Sequence, residues 1–294
     1  MPTTKRYSRK HQSDQELTDF IALLKKHRIQ PKKRLGQTFL FKRFISEEIV
    51  RLANITDRDV VIEIGPGLGA LTRPLAAQGA QIIGLEYDMA LASLLQKVVR
   101  EPTVEIIRAD ALNFDYHNVF TQHATQLKII GNLPYYLTSP LIFKLLKARS
   151  IIQGMLVMIQ KEVADRLTAQ PGTRAYGTIS IFTQLYCEVE KKLTVTKDSF
   201  YPRPKVDSEI VAFTVRDKPL VAVTDEIFFE KLVRTSFLRR RKTLLNALKA
   251  TDYFNRGKEK ILEALNALDI DPQRRPETLS IREFSTLATH IMSD

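Results

Sequence analysis

Apolar runs alternate with amphipathic stretches between residues 59 and 216. The runs are short and rich in Val and Ile, which is typical of strands buried on both faces of a parallel sheet. In the stretches between them, apolar residues recur every three to four positions, as in amphipathic helices. We therefore expect an α/β fold with helices on both faces of the sheet. Strands are predicted at 59–65, 80–86, 103–110, 127–132, 154–160, 190–196 and 208–216, and helices at 69–78, 88–100, 139–149, 161–170 and 177–189.

The two ends of the chain differ from this alternation. Residues 1–13 are basic and polar and are predicted to be disordered, before a short amphipathic helix over 15–29. A helix over 44–55 should follow, with Ser46 as its N-cap. After about residue 217 the pattern is helical only, and Ser280 with Glu283 predicts a capping box.

We therefore expect three parts. Residues 1–30 form a basic N-terminal extension with a short helix, residues 31–217 form the sheet domain, and residues 218–294 form a smaller all-helical domain.

Charge adds a prediction about the partner. The chain has 45 basic and 33 acidic residues, a net charge of +12, which favours a polyanionic partner. The basic residues concentrate at 5–10, 25–34 and 239–242, which favours nucleic acid over an anionic membrane. We expect no membrane association because no apolar run approaches the roughly 20 residues that span a bilayer.

Cysteine and histidine content argues against disulfide and metal chemistry. Cys187 is the single cysteine, and the five histidines have no metal-ligand spacing. We expect no metal, a reducing cytoplasmic location and a monomeric protein.

A glycine-rich turn predicts a cofactor site. Gly65, Gly67 and Gly69 lie between the first predicted strand and helix, where backbone amides can approach a ligand closely. Gly65-x-Gly67-x-x-Ala70 also satisfies the loose dinucleotide pattern of a dehydrogenase, so the turn alone is ambiguous.

Three carboxylates reduce this ambiguity. Glu86 ends the next strand, where it can accept both ribose hydroxyls of an adenosine cofactor. Asp110 ends the third strand, where it can accept the adenine amine. Together with Glu63 before the glycines, this order resembles that of the class I S-adenosylmethionine methyltransferases, whose sheet is Rossmann-like.

Asn132-Leu133-Pro134-Tyr135 follows the fourth strand. The Asn132 side-chain oxygen and the Leu133 carbonyl can accept the two hydrogens of an adenine amine and aim its lone pair at a methyl donor. Pro134 stiffens the turn, and Tyr135 offers a ring for base stacking. Catalysis of this kind depends on orientation, and the sequence contains no Ser/His/Asp or Cys/His arrangement that would indicate a nucleophilic hydrolase.

A second aromatic side chain is expected on the other face of the base. Phe200 precedes two prolines and could cover that face, and Tyr201 could do so instead.

Five ordered motifs carry a family resemblance over about residues 29–290. They are KKRLGQTFL, EIGPGLGALT, GNLPYYLTSPL, FYPRPKVDS and TSFLRRRKTLLNAL. In this order they resemble the KsgA/RsmA-type small-subunit rRNA adenine dimethyltransferases. The resemblance implies S-adenosyl-L-methionine-dependent N6,N6-dimethylation of two adjacent adenosines in the 3′-terminal hairpin of 16S rRNA, within the immature small ribosomal subunit.

The resemblance also implies roles for individual residues. The target base would be addressed by Asn132, Leu133 and Tyr135, with Phe200 stacked on it. Family members commonly carry Asn or His where this chain has Thr38, whose hydroxyl side chain is shorter. Cofactor contacts are implied for Thr38, Leu40, Gly65, Gly67, Glu86, Asp110 and Asn132.

The basic motif of the helical domain predicts an RNA-binding surface. We interpret it as a helix with one buried face and one phosphate-facing side. The basic residues are Arg239, Arg240, Arg241 and Lys242.

Four alternatives remain at this point. The erythromycin-resistance (Erm) branch shares the catalytic motifs but modifies large-subunit rRNA, and the 239–242 motif favours the small-subunit branch. A DNA adenine methyltransferase would need a target-recognition insertion. A dehydrogenase would leave the 132–135 motif unexplained. A ribosome assembly factor that acts mainly by binding remains compatible with the sequence.

Overall fold

The structure, a computed structural model, describes residues 3–249 and 257–293, with side chains over 15–249 and 259–292. Residues 1, 2, 250–256 and 294, which fall within the predicted end segments, lie outside the described residues.

The strands are β1 (Phe39–Leu40), β2 (Val60–Ile64), β3 (Gln81–Glu86), β4 (Val104–Arg108), β5 (Leu127–Asn132), β6 (Ile152–Gln160), β7 (Cys187–Val195), β8 (Phe200–Tyr201) and β9 (Ser208–Val215). The helices are α1 (Thr3–Lys26), α2 (Arg43–Ala53), α3 (Thr72–Ala76), α4 (Met89–Val98), α5 (Tyr116–His123), α6 (Thr138–Lys147), α7 (Lys161–Leu167), α8 (Thr178–Tyr186), α9 (Glu226–Leu238), α10 (Leu244–Lys249), α11 (Gly257–Ala267) and α12 (Ile281–Ser293).

A seven-stranded sheet in the order β4-β3-β2-β5-β6-β9-β7 organises the fold. Strands β4, β3, β2, β5 and β6 run parallel to one another, and β9 pairs antiparallel with β6. The predicted mostly parallel, Rossmann-like sheet is confirmed. The chain runs outward from β2 to β4 and then returns to β5 on the other side of β2. Ligands bind at such a reversal, beyond the carboxyl ends of the strands.

The backbones of β2 and β5 lie unusually close beside this reversal. A Cβ atom at Gly131 would lie 2.5 Å from the Ile64 carbonyl oxygen, so only glycine fits there. Because Asn132 follows directly, this approach places the asparagine next to the turn that leaves β2.

The N-terminal helix is longer than predicted and is part of the core. Helix α1 begins at Thr3, so the prediction of disorder over 1–13 is wrong for the described residues 3–13. Leu24 is 3% exposed and packs in a cluster with Phe39 and Leu91. The Phe20 ring also lies against the ring of Phe39, with a centroid distance of 6.1 Å. The apolar face predicted over 15–29 therefore has a partner surface, and the described residues 3–13 continue the same helix.

Three local predictions differ from the structure. Helix α2 begins at Arg43, and Ser46 is buried within it instead of capping it. Helix α5, whose N-cap Asp115 accepts two backbone N–H groups, was not predicted because its apolar spacing is weak. Cys187 begins β7, so the predicted helix over 177–189 ends before it.

Contacts divide the chain into two compact units. The first comprises Met1–Ala164 and Glu190–Val215, and the second comprises Asp165–Val189 and Arg216–Asp294. The described part of the second unit is helical apart from the start of β7 and the connections, and the predicted capping box is present, with the Glu283 N–H donating to Ser280 Oγ. It also includes α8, which the sequence grouped with the sheet domain. Phe182 of α8 packs edge-on against Phe229 of α9 within this unit, at 5.9 Å between ring centroids.

Across the part of the chain that the structure describes, no helix has both the length and the apolar character needed to cross a bilayer.

Replacing the buried leucine of α1 tests whether this helix belongs to the core. We expect Leu24→Ala to lower the free energy of unfolding by about 2–5 kcal/mol, because it leaves a cavity beside Phe39. Leu23→Ala is the matched control, since Leu23 is 39% exposed on the same helix. It should change stability by no more than about 0.5 kcal/mol. Urea titration checks both values, and equal stability of the two variants would contradict the packing.

Candidate active site

A cavity of about 370 Å³ lies at the carboxyl ends of β2, β3 and β5. Its walls come mainly from five segments of the chain, with Leu91 of α4 in addition. The five are the segment 34–40, the turn after β2, the end of β3, the loop 109–112 and the turn 132–137. All belong to the first unit. The sheet thus gathers the predicted chemistry at one edge.

The glycine turn forms one wall of this cavity. Gly65 and Gly67 line it with φ angles of 68° and 60°, which a residue with a side chain rarely adopts. A Cβ atom at Gly67 would lie 3.2 Å from the Phe39 ring. The glycine therefore lets the segment 34–40 close over the turn. Gly69 also has a positive φ but does not line the cavity.

Glu86 lines the cavity next to the glycine turn with a fixed carboxylate. Its Oε2 accepts the Gly67 N–H at 3.0 Å, and its Oε1 accepts the Asp88 N–H at 2.8 Å. The residue is 6% exposed, and this burial raises the pKa of the carboxyl although the backbone donors partly oppose the shift. Each oxygen has further lone pairs, so the group can accept hydroxyl hydrogens from a bound ligand.

Asp110 is held by its own loop. Its Oδ1 accepts the Leu112 N–H at 2.9 Å, and its Oδ2 accepts Asn113 Nδ2 at 2.8 Å. Asp110 follows β4, which pairs in parallel with β3, so its carboxylate lies one strand along from Glu86. Glu86 and Asp110 both line the cavity.

The Asn132 carboxamide has a defined orientation. Its Nδ2 donates to the Thr38 carbonyl oxygen at 3.0 Å, so Oδ1 is the atom of the amide that can accept a hydrogen bond from a substrate. Thr38 thus contributes through its backbone. Leu40 also lines the cavity and is 5% exposed.

The rest of the 132–135 motif shapes the turn. The Leu133 N–H donates to the Met158 carbonyl oxygen at 3.0 Å. The hydroxyl of Thr138, the first residue of α6, donates to the Pro134 carbonyl oxygen at 3.2 Å. Asn132, Leu133 and Pro134 line the cavity.

The aromatic residues lie differently from the simplest expectation. The residue after Tyr135, Tyr136, lines the cavity and is 57% exposed, whereas the Tyr135 hydroxyl lies 3.4 Å from Ser208 Oγ. Phe200 is 2% exposed in a core cluster, because it pairs with Leu40 across β1 and β8. The stacking role of Phe200 stays a prediction, and it requires this ring to become exposed.

Sequence reasoning missed the residues that hold the segment 34–40 in place. Lys32 Nζ lies 2.6 Å from Asp88 Oδ2, and Gln37 Nε2 donates to the same oxygen at 3.1 Å. The Asp88 side chain is 2% exposed and also caps α4 through the Ala90 N–H. The helix-capping pattern could have identified Asp88, but nothing in the sequence points to its two distant partners.

The predicted basic motif forms a turn between α9 and α10 instead of a helix. Arg239, Arg241 and Lys242 are exposed. Arg240 is partly committed to the protein, because its guanidinium donates to the Arg174 carbonyl oxygen at 2.6 Å and lies 3.9 Å from Glu277. The leucines that follow, Leu244, Leu245 and Leu248, are buried as expected.

A match to a protein family excludes two of the four alternatives. The model described as ribosomal RNA adenine dimethylase matches residues 28–292. The chain belongs to the ribosomal RNA adenine dimethylase family. This excludes the dehydrogenase and DNA methyltransferase alternatives and identifies the chain as an rRNA methyltransferase.

Individual relatives of this dimethylase agree. A protein named ribosomal RNA small subunit methyltransferase A, from Bacillus thuringiensis (strain Al Hakam), is 43% identical over 92% of this chain and 94% of its own length. A crystal structure of a dimethyladenosine transferase from Plasmodium falciparum is similar with a TM-score of 0.70 and 29% identity, over 84% of this chain and 94% of that one. The crystal structure of the 23S rRNA methyltransferase ErmE is similar with a TM-score of 0.65 and 25% identity, over 86% of this chain and 99% of that one.

The dimethylase buries a second carboxyl beside the cavity. Glu63 is 1% exposed on β2, and burial, with the negative charge of Glu86 as a further contribution, raises the pKa of its carboxyl to about 8. Glu63 is therefore mostly neutral at pH 7, which avoids placing two buried negative charges side by side.

The raised pKa of Glu63 predicts a pH-dependent stability. Below pH 4.5 the Glu63 carboxyl is protonated in both the folded and the unfolded protein. Between pH 4.5 and about 8 it is ionised only in the unfolded protein. Through this window stability should therefore fall more steeply with pH in the native protein than in Glu63→Gln, by up to about 1.4 kcal/mol per pH unit, since Glu86 keeps its own raised pKa in both. Urea titrations from pH 5 to pH 8 measure the difference.

Glu105→Gln is the matched control, because Glu105 is exposed on β4. Its stability should follow the native pH dependence. A constant difference between the native protein and Glu63→Gln across the window would contradict a neutral Glu63.

Proposed function

We propose that this dimethylase transfers methyl groups from S-adenosyl-L-methionine to the N6 amines of two adjacent adenosines. The substrate is the 3′-terminal hairpin of small-subunit (16S) rRNA, within the immature subunit, and each adenosine becomes N6,N6-dimethyladenosine. The single observation that carries the proposal is the oriented Asn132 amide in the wall of the cavity.

The cavity residues fit the proposed cofactor. The Glu86 carboxylate would accept the ribose hydroxyls, and Asp110 would accept the adenine amine. The backbone of Gly65 and Gly67 would pass close to the cofactor, since both lack a side chain. Thr38 and Leu40 would cover it from the other side. Glu86 and Asp110 follow neighbouring strands, so one carboxylate can meet the ribose and the other the adenine that is joined to it.

Asn132 and Leu133 would align the target amine. The cofactor supplies a methyl group on a positively charged sulfur, which leaves as a neutral thioether. Adenine N6 is a weak nucleophile because its lone pair is delocalised into the ring. Hydrogen bonds from the amine to Asn132 Oδ1 and to the Leu133 carbonyl oxygen would turn this lone pair toward the methyl carbon. N6 would form the new bond to the methyl carbon as the bond from that carbon to sulfur breaks, and the alkylated amine would then lose a proton to water.

A target base that has been turned out of the RNA stack needs an aromatic side chain of the protein to stack on. Tyr135 follows Leu133 and Pro134 in the turn and is half-buried, so one side of its ring can meet a base. A base–aromatic contact of this kind contributes about 1–3 kcal/mol.

Identity with the curated relatives favours the small subunit as substrate. Those relatives are named small-subunit methyltransferases at 43% identity, while the 23S enzyme ErmE is 25% identical. The exposed Arg239, Arg241 and Lys242 would contact RNA phosphates.

We further propose that the protein acts as a cytoplasmic monomer without a metal. In the described residues, no cluster of His, Cys, Asp and Glu could hold one.

Removing the Asn132 carboxamide tests the catalytic role. We expect Asn132→Ala to lower the rate of methylation of immature small subunits at least about 100-fold, because orientation of the amine is lost. Binding to these subunits should persist. Labelled methyl incorporation followed by nucleoside analysis measures the rate and identifies the product.

Asn118→Ala is the matched control, since Asn118 is exposed on α5 away from the cavity lining. It should retain full activity. Dimethylation by Asn132→Ala at the native rate would refute the catalytic assignment. Persistence of subunit binding without methylation would also separate catalysis from an assembly role.

Charge reversal at the basic turn tests the RNA contact. We expect Arg239→Glu with Arg241→Glu to weaken RNA binding and to reduce the salt dependence of binding by about one to two released counterions. Cofactor affinity should not change. Filter binding at several salt concentrations measures the slope.

A control with the same change in net charge is Lys218→Glu with Lys260→Glu, both exposed in the second unit. It should weaken binding much less. Equal losses in the two double variants would mean that net charge alone, and not the turn, attracts the RNA.

A further inference from the structure

Lys144 of α6 holds the loop that carries Asp110. Its Nζ donates to the Leu112 carbonyl oxygen at 2.6 Å and to the Phe114 carbonyl oxygen at 2.7 Å. The same Nζ lies 5.3 Å from the centre of the Tyr116 ring. The position is part-buried, where carbonyl groups need internal donors. One ammonium group therefore satisfies two carbonyls of one loop.

Tyr116 completes this arrangement. The residue is 1% exposed, and its hydroxyl donates to the Ala111 carbonyl oxygen at 2.9 Å. Burial raises the pKa of the hydroxyl, so it keeps its proton and remains a donor. Its ring also packs edge-on against Phe114, at 5.3 Å between centroids.

The loop is thus fixed from both sides of its backbone. Lys144 and Tyr116 hold the carbonyls of residues 111, 112 and 114, while Asp110 accepts the N–H of residue 112 and the side chain of residue 113. Asp110, Ala111 and Leu112 line the cavity. Any relaxation of these carbonyls would be transmitted to the carboxylate through the Leu112 peptide.

We propose that Lys144 is a positioning residue that sets the preference of the cofactor site for adenine. The inference rests on the proposed function, in which Asp110 accepts the adenine amine. Lys144 lies in the last turn of α6, whose first turn is tied to the Pro134 carbonyl oxygen. It therefore connects the adenine side of the cavity with the helix that begins at the catalytic turn.

Two ligands that differ at one group test this proposal by calorimetry. S-adenosylhomocysteine carries the adenine amine, and S-inosylhomocysteine carries a carbonyl oxygen there, which the Asp110 carboxylate should repel. We expect the native protein to prefer the adenine ligand by about tenfold or more. Lys144→Met should bind the adenine ligand about tenfold more weakly and lose most of this preference. Lys144→Arg, which keeps charged donors, should restore it in part.

Lys128→Met is the matched control. Lys128 is also part-buried and donates to the Asn54 carbonyl oxygen at 3.0 Å and to Asp59 at 2.9 Å. It lies near the amino end of β5, opposite the cavity, so its loss should lower stability without changing the ligand preference. If Lys144→Met does not fold, Tyr116→Phe removes only the hydroxyl that holds the Ala111 carbonyl and should reduce the preference likewise.

The outcomes distinguish a failure of the role of Lys144 from a failure of the proposed cofactor site. A native preference that persists unchanged in Lys144→Met and Tyr116→Phe would overturn the role of Lys144 alone. Equal weakening of both ligands in Lys144→Met would also overturn it, because the lysine would then be only structural. If the native protein bound both ligands equally, the adenine contact of Asp110 would be refuted together with the inference. No binding of S-adenosylhomocysteine would refute the proposed cofactor.

Discussion

One hydrogen bond, from Asn132 Nδ2 to the Thr38 carbonyl oxygen, links two parts of the site that are 94 residues apart. It removes the ambiguity of the carboxamide, since the amide nitrogen is engaged and the oxygen is left as the acceptor. It depends in turn on the segment 34–40, which Lys32 and Gln37 tie to Asp88. A freely rotating Asn132 could present a donor to the target amine, and the proposed alignment would fail.

The sheet and much of the cofactor wall could be predicted from the sequence. Buried parallel strands are nearly continuous Val and Ile runs, and residues after such strands meet at one edge of the sheet. This is why the sequence pattern predicts Gly65, Glu86, Asp110 and Asn132 as site residues, and all four line one cavity. The residues that hold them in place, Asp88 and Lys144, were not found. Their partners are distant in sequence or are backbone carbonyls, which leave no pattern.

The differences from prediction have a common physical origin in tertiary contacts. The disorder expected over residues 1–13 followed from polar composition, but the chain is helical from Thr3, continuous with the part of α1 whose Leu24 packs with Phe39 and Leu91. The helix expected at 239–242 followed from the leucines after it, yet the arginines form a turn and one of them is used internally. Local propensity predicts neither result. Conversely, Glu63 and Glu86 lie buried together at a cost to stability, as expected where function decides.

A crystal structure with the methyl-donor analogue sinefungin tests the central claim most directly, since sinefungin places an ammonium group where the sulfonium methyl would lie. The account predicts that the Asn132 Nδ2 hydrogen bond to Thr38 persists, and that Oδ1 faces this ammonium across a gap that one amine nitrogen can fill. An Asn132 side chain that has turned away from the ligand, or a ligand bound with its ribose away from Glu86, would contradict it.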